Sequence, residues 1–180
     1  DLGATGQVFE GDVLSPMLDR VAELKSSTNK DAYDPNKYLF GRSTTVGTWF
    51  IFVGPSAATV NLNADGSATL VTSGVEIGSG TMMQSLPQMV AAELGIHPDE
   101  VIVKTADTDA SGKDLGVGGG RTTVSIGAAS TAACAEVKEK LLSVASEMLQ
   151  TKLARLVLAN GRIEISGNPG SGTTILKVIA

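Results

Sequence analysis

From Asp12 to Ser26 the apolar positions Val13, Leu14, Met17, Leu18, Val21 and Leu24 fall at helical spacing and form one stripe. Asp12 is placed to cap this helix, and Pro16 sits near its first turn, where a missing N–H matters little. The polar run 27–37 reads as loop. A strand is predicted over 44–53, with Thr44, Thr45, Val46, Trp49, Phe50, Ile51, Phe52 and Val53, and Gly47 as a bulge. A hairpin follows: 59–63 and 67–72 alternate, and Asp65-Gly66 supplies the turn. The glycine loop 74–80 leads into a helical pattern at Met83, Leu86, Met89, Val90 and Leu94. Pro87 either kinks that helix or marks where its regular part starts, and Gly95 ends it. After a turn at His97-Pro98-Asp99 come a short strand over 100–104 and a polar loop over 105–120. A long Ala-rich helix is predicted from Thr122 to Lys152, its first half almost all small residues. The tail predicts strands at 156–158 and 162–165 around Asn160-Gly161, a loop over 166–172 and a further element from Thr174. With no parallel βαβ series visible, the order predicts an α+β fold: a two-layer antiparallel sheet with helices on one face. Residues 1–58 read as an N-terminal helix and connecting strand segment, and 59–180 as the main domain.

Composition narrows the possibilities. Glycine is 21 of 180 residues, above the usual ~7%. The excess falls in turns and two loops, which suggests backbone packed against something. A net charge of −5 argues against nucleic-acid binding, which rests on phosphate neutralisation. No apolar run approaches the ~20 residues of a membrane span, and no signal-peptide pattern opens the chain. The lone Cys134 excludes an internal disulfide and a four-cysteine cluster. A cytoplasmic setting is expected. The start at Asp1 and the apolar Ile-Ala end read as those of a segment from a larger protein.

The strongest chemical signal is Gly116-Val117-Gly118-Gly119-Gly120-Arg121-Thr122-Thr123, directly before the long helix. Glycines let backbone approach a ligand. A helix start offers free N–H groups and a positive dipole end. Arg121 adds a fork of donors suited to phosphate. The stretch therefore reads either as an anion site for a cofactor phosphate or as a flexible loop before a capped helix. It is not a Walker loop, lacking Gly-Lys-Ser/Thr, nor the dinucleotide fingerprint. His97 reads as a surface turn residue and Cys134 as a buried small residue. Asp107, Asp109 and Asp114 read as solvated loop acids, because their spacing is not that of a calcium loop. Trp49, Phe50 and Phe52 read as core or interface. Glu76 is placed to orient a backbone amide, without a chemical role. No Ser–His–acid set and no zinc set can be built. Nothing here performs bond chemistry alone; the segment looks built to hold something.

Several pieces taken together carry a resemblance. They are the Asp65-Gly66 hairpin, Glu76-Ile77-Gly78-Ser79-Gly80, the helix 88–96, Asp99-Glu100-Val101, Asp107-Thr108-Asp109 and Gly118-Gly119-Gly120-Arg121-Thr122-Thr123. The combination resembles the molybdenum-binding subunit of the xanthine dehydrogenase and aldehyde oxidase family, firmly from about 59 to 142 and more loosely to 180. The resemblance implies that 59–180 is a molybdopterin cofactor-binding domain and part of an oxidoreductase that hydroxylates an aldehyde or N-heterocycle with oxygen from water. Ile77, Gly78, Ser79 and Gly80 would lie against the pyranopterin. Gly119, Gly120, Arg121, Thr122 and Thr123 would surround the phosphate. The cofactor would be molybdenum-molybdopterin, in many bacterial members with a cytosine nucleotide. The 2Fe-2S and FAD groups would lie on other domains or subunits. Partners would be the remainder of the molybdenum subunit, an iron–sulfur subunit, a flavoprotein subunit and a small-molecule substrate. Ser79 stands where the family usually has Gln, and the family's catalytic Glu motif is absent from this chain. A non-catalytic assembly domain that has lost cofactor contact, or a generic phosphate-binding enzyme, are the competing readings.

Overall fold

A computed structural model describes residues 8, 11–26, 34, 36–39, 41, 43–47, 49, 53–105 and 107–180. The chain forms two compact units, 1–50 and 51–180.

In the first unit, α1 spans Leu14–Ser26. Asp12 Oδ1 accepts the Ser15 amide at 3.1 Å, as its capping position predicts. The stripe from Val13 to Leu24 is exposed. The strand expected over 44–53 is not formed by its described residues, 44–47, 49 and 53. Strands need partners to persist, and Trp49 and Val53 are exposed. Phe50, Ile51 and Phe52 lie outside the described residues, as do 27–33 and Pro35 of the expected loop.

The second unit holds two three-stranded sheets. In the first, β1 (Ala58–Leu62) and β2 (Ala68–Thr72) pair antiparallel with Leu62 opposite Ala68. The hairpin loop is closed by Asn63 N to Ser67 O at 2.8 Å and Gly66 N to Asn63 O at 2.9 Å. The third strand, β3 (Val101–Thr105), lies parallel to β2. The connection runs through α2 (Leu86–Leu94), so β2, α2 and β3 form a crossover unit. The fold is α+β as expected, but this sheet is mixed rather than wholly antiparallel. A glycine loop and a helix delayed to Pro87 hide the crossover in the sequence. Pro87 falls in the first turn of α2, and Gly95 closes it at φ 64°.

The expected long helix is a π-helical turn at Thr122–Ile126 followed by α3 (Gly127–Met148). A matching π turn, Thr81–Ser85, precedes α2. The second sheet, β4 (Leu156–Ala159), β5 (Arg162–Ile165) and β6 (Asn168–Thr174), is antiparallel and leads into α4 (Ile175–Ile179). Residues 168–172, expected as loop, belong to β6. At Gly172 a Cβ would come within 2.0 Å of the Ile163 carbonyl oxygen, so glycine permits a β5–β6 approach that other residues forbid.

Two cores result. Val60, Leu70, Leu86, Val90, Leu94, Ile126 and Cys134 fill the first. Leu141, Leu142, Ala145, Leu156, Ile163 and Ile175 fill the second. Each fully buried large aliphatic side chain contributes about 1.5–3 kcal/mol. Because α3 enters the first core at Cys134 and the second at Leu141, it ties them together. Burial pushes the Cys134 thiol up to about 11, with Glu93 adding to the shift. This is the inert small-residue role expected of it. No helix of the described residues is long and apolar enough to cross a membrane.

Candidate functional site

Two glycine loops, each followed by a π turn and a helix, lie in the second unit. The π turns pack against each other, as do α2 and α3. A Cβ at Gly74 would lie 2.6 Å from Ile126 Cδ1 and 3.0 Å from Met82 Sδ, so the start of the first loop sits on the second π turn. π-helical turns are rare and concentrate at functional positions.

In the first loop Glu76 turns back on its own backbone. Its Oε1 accepts the amides of Gly78 at 2.7 Å and Gly80 at 2.8 Å, and its Oε2 accepts that of Met82 at 3.1 Å. The Gly80 amide foremost, then those of Met82, Gly78 and Ser79, hold the Glu76 carboxyl below the usual range against the opposing effect of desolvation. Glu76 thus orients three amides, where the sequence suggested one. Ser79 Oγ lies 3.1 Å from Thr81 Oγ1. Ile77, Gly78 and Ser79 are exposed and Gly80 is half-buried.

The second loop is arranged differently. The Arg121 side chain is 4% exposed and the Asp114 side chain 2%. Arg121 Nη1 donates to Asp114 Oδ1 at 2.7 Å and to the Gly116 carbonyl. Its Nη2 donates to Pro55 O at 3.1 Å and to Ser56 Oγ at 3.0 Å. Ser56 Oγ donates in turn to Asp114 Oδ2 at 2.5 Å, and the Gly116 amide to Asp114 Oδ1 at 2.7 Å. Burial alone would raise the Asp114 pKa. The Ser56 and Arg121 hydrogen bonds, the Gly116 amide and the Arg121 charge outweigh it and hold the carboxyl below its ordinary value. Asp114 is therefore not the solvated loop acid its spacing suggested, because burial comes from segment 55–56, remote in sequence. Asp107 and Asp109 are exposed, with Asp107 Oδ1 accepting the Asp109 amide at 3.0 Å. His97 caps a short turn, its Nδ1 accepting the Asp99 amide at 3.3 Å.

Gly119 and Gly120 carry φ of 54° and 79°, which turns the loop into the π turn. Arg121 N bonds Gly118 O at 3.0 Å, whereas the amides of Gly119, Gly120, Thr122 and Thr123 have no acceptor among the described residues. Gly119 and Thr122 are half-buried, and Gly120 and Thr123 are exposed. Buried Arg121 Nε also has no hydrogen-bond partner among the described residues. Open space surrounds the positions where Gly116 and Gly118 would carry a Cβ. Unclaimed donors, two hydroxyls and a positive helix end suit an oxygen-rich anionic group. Among the described residues no group of three or more His, Cys, Asp or Glu is gathered to hold a bare metal ion. These donors fit an organic, phosphate-bearing group.

A sequence model of the molybdopterin cofactor-binding domain matches residues 19–180. The chain belongs to that family. It is 30% identical over 139 residues to the putative xanthine dehydrogenase molybdenum-binding subunit of Escherichia coli (strain K12), covering 77% of this chain and 18% of that protein. It is 33% identical over 91 residues to the carbon monoxide dehydrogenase large chain of Afipia carboxidovorans, covering 51% and 11%. Quinoline 2-oxidoreductase from Pseudomonas putida 86 shares the fold at a TM-score of 0.62 and 27% identity, over 69% of this chain and 16% of that one. The Cu,Mo-CO dehydrogenase matches at 0.63 with the same identity and coverage. The chain thus spans less than a fifth of the relatives it matches. Within this molybdopterin-binding domain, Ser56 and Asp114 escaped sequence reasoning. The one local signal was Asp114 two residues before Gly116, the spacing of a turn in which an Asp side chain caps the backbone.

Proposed function

We propose that this domain supplies part of the wall of a pterin molybdenum cofactor site in the large subunit of a molybdenum hydroxylase. The observation that carries this reading is the set of unclaimed amides at Gly119, Gly120, Thr122 and Thr123, with the threonine hydroxyls, at the head of the second π turn. These groups would take the phosphate, and with it any attached nucleotide such as cytidine. The first loop is electrostatically unsuited to that task, since ionised Glu76 fills its amides. Exposed Ile77, Gly78 and Ser79, with half-buried Gly80, would instead present a largely neutral edge to the pterin ring system. When bound, the cofactor would supply the molybdenum chemistry that oxidatively hydroxylates an aldehyde or N-heterocycle with oxygen from water. The chain's own residues position it and exclude wrong geometries. The catalytic carboxylate would lie elsewhere in the subunit. Iron–sulfur and flavin partners would carry electrons away in the cytoplasm.

The test is metal and pterin analysis of the full-length subunit in its complex. Replacing both Thr122 and Thr123 by Ala removes two hydroxyl contacts and is expected to lower bound molybdenum and pterin together. Undiminished retention overturns the phosphate assignment. Ser79 favours a second reading, an assembly domain without cofactor contact, because its short side chain already pairs with Thr81. A wild-type complex purified without molybdenum and pterin would support that reading.

A further inference from the structure

We infer that Asp114 and Arg121 are positioning residues of the anion site: a buried pair that folds the loop so that backbone amides, rather than the guanidinium, hold the anion. The inference rests on the cofactor reading above. Free arginines grip phosphate through two parallel N–H donors from the planar fork. Here both terminal nitrogens are taken, by Asp114, Gly116, Pro55 and Ser56. The side chain is 4% exposed, so offering the fork to a ligand would mean leaving Asp114 buried and unpaired. The charge of Arg121 is cancelled by a carboxylate 2.7 Å away, so the pair adds little net attraction for an anion. Only Nε remains as a donor, and one N–H cannot make a two-pronged contact.

What the pair does is geometric. Through Asp114 it closes on the Gly116 amide, through Arg121 on the Gly116 carbonyl, and through Ser56 on the segment that leads into β1. Both ends of segment 114–121 are thereby fixed to one point of the scaffold. Between them the chain must pass through Gly118, Gly119 and Gly120, and it emerges into the π turn with its amides unclaimed. Such outer supports commonly affect ligand retention 10- to 100-fold without touching the ligand.

Two substitutions in the full-length holo subunit separate positioning from direct contact. Asp114→Asn removes the neutralising charge. If Arg121 held the anion directly, retention of pterin and molybdenum on dialysis would rise or stay level. Positioning predicts release faster by roughly 10-fold or more. Arg121→Lys keeps the positive charge but cannot span Asp114, Ser56, Gly116 and Pro55 together. Direct contact predicts retention between wild type and Arg121→Ala, because the charge remains although the fork is lost, and positioning predicts loss matching Arg121→Ala. Ser56→Ala leaves both charges in place and guards against a folding failure of Asp114→Asn. It is expected to speed release several-fold with an unchanged salt dependence, and wild-type release from it would overturn the inference. Amide hydrogen exchange at Gly116 and Arg121, the bonded amides of the loop, gives a readout independent of cofactor in the same variants: faster exchange supports the inference and unaltered exchange overturns it. A wild-type subunit that holds no pterin would defeat the cofactor reading alone, and the exchange measurement would still decide the role of the pair.

Discussion

The two glycine loops share a sequence pattern and differ in where their acid goes. In 76–80 the carboxylate of Glu76 folds back into the loop and satisfies the amides of Gly78, Gly80 and Met82. In 114–123 the carboxylate of Asp114 is drawn to a guanidinium, and the amides at the start of the π turn remain unclaimed. One loop therefore carries its own anion, and the other leaves amides at Gly119, Gly120, Thr122 and Thr123 without an acceptor among the described residues. A run of glycines before a helix does not define an anion site by itself. The partner of the nearest acid decides.

The largest way to break this comparison is Arg121→Ala. It leaves Asp114 buried without its cation and is expected to destabilise the protein by about 3–5 kcal/mol in urea unfolding. Next comes Ile126→Ala, which removes the side chain joining the second π turn to Gly74 of the first loop. A loss of about 3 kcal/mol is expected, with faster hydrogen exchange in both loops rather than one. Acid sharpens the contrast further. Glu76 and Asp114 both have folded-state pKa values below their ordinary ones. The unfolded chain therefore takes up protons first, and their stabilisation, full at neutral pH, is lost as pH falls from roughly 4 downward. Glu76→Gln should flatten that acid limb and loosen only the first loop, whereas Asp114→Asn should loosen only the second; urea midpoints against pH, with exchange by loop, would check this. The smallest effect belongs to Ser79→Ala, which removes one hydroxyl contact and should cost about 0.5 kcal/mol or less. A larger loss in thermal unfolding would mean that Ser79 does more in the first loop than pair with Thr81.

Much of the fold was legible because local chemistry decides it. Gly95 ends α2, Pro87 sets its start, and the turns at Asp65-Gly66 and Asn160-Gly161 join the strands they were expected to join. What escaped depends on distant partners. The parallel β2–β3 pairing is set across the whole connection 73–100. The strand β6 exists because Gly172 lets it close on β5, although its own Pro, Gly and Ser content reads as loop. At the site, the glycines and hydroxyls stood out in sequence, but the state of Arg121 did not. Its partners Asp114 and Ser56 lie 7 and 65 residues away, and nothing in the pattern of either links it to a guanidinium.

The length of α3 has a mechanical meaning. Its 22 residues make a rod of roughly 33 Å whose far end is anchored among Leu141, Leu142 and Ala145 in the second core. A tilt of about 5° pivoting there would swing the near end, roughly 24 Å away, by roughly 2 Å, beyond the tolerance of a hydrogen bond. The small C-terminal sheet is thus the fulcrum of the second glycine loop, and repacking Ile163 or Ile175 would be felt there without any change in the residues of the loop.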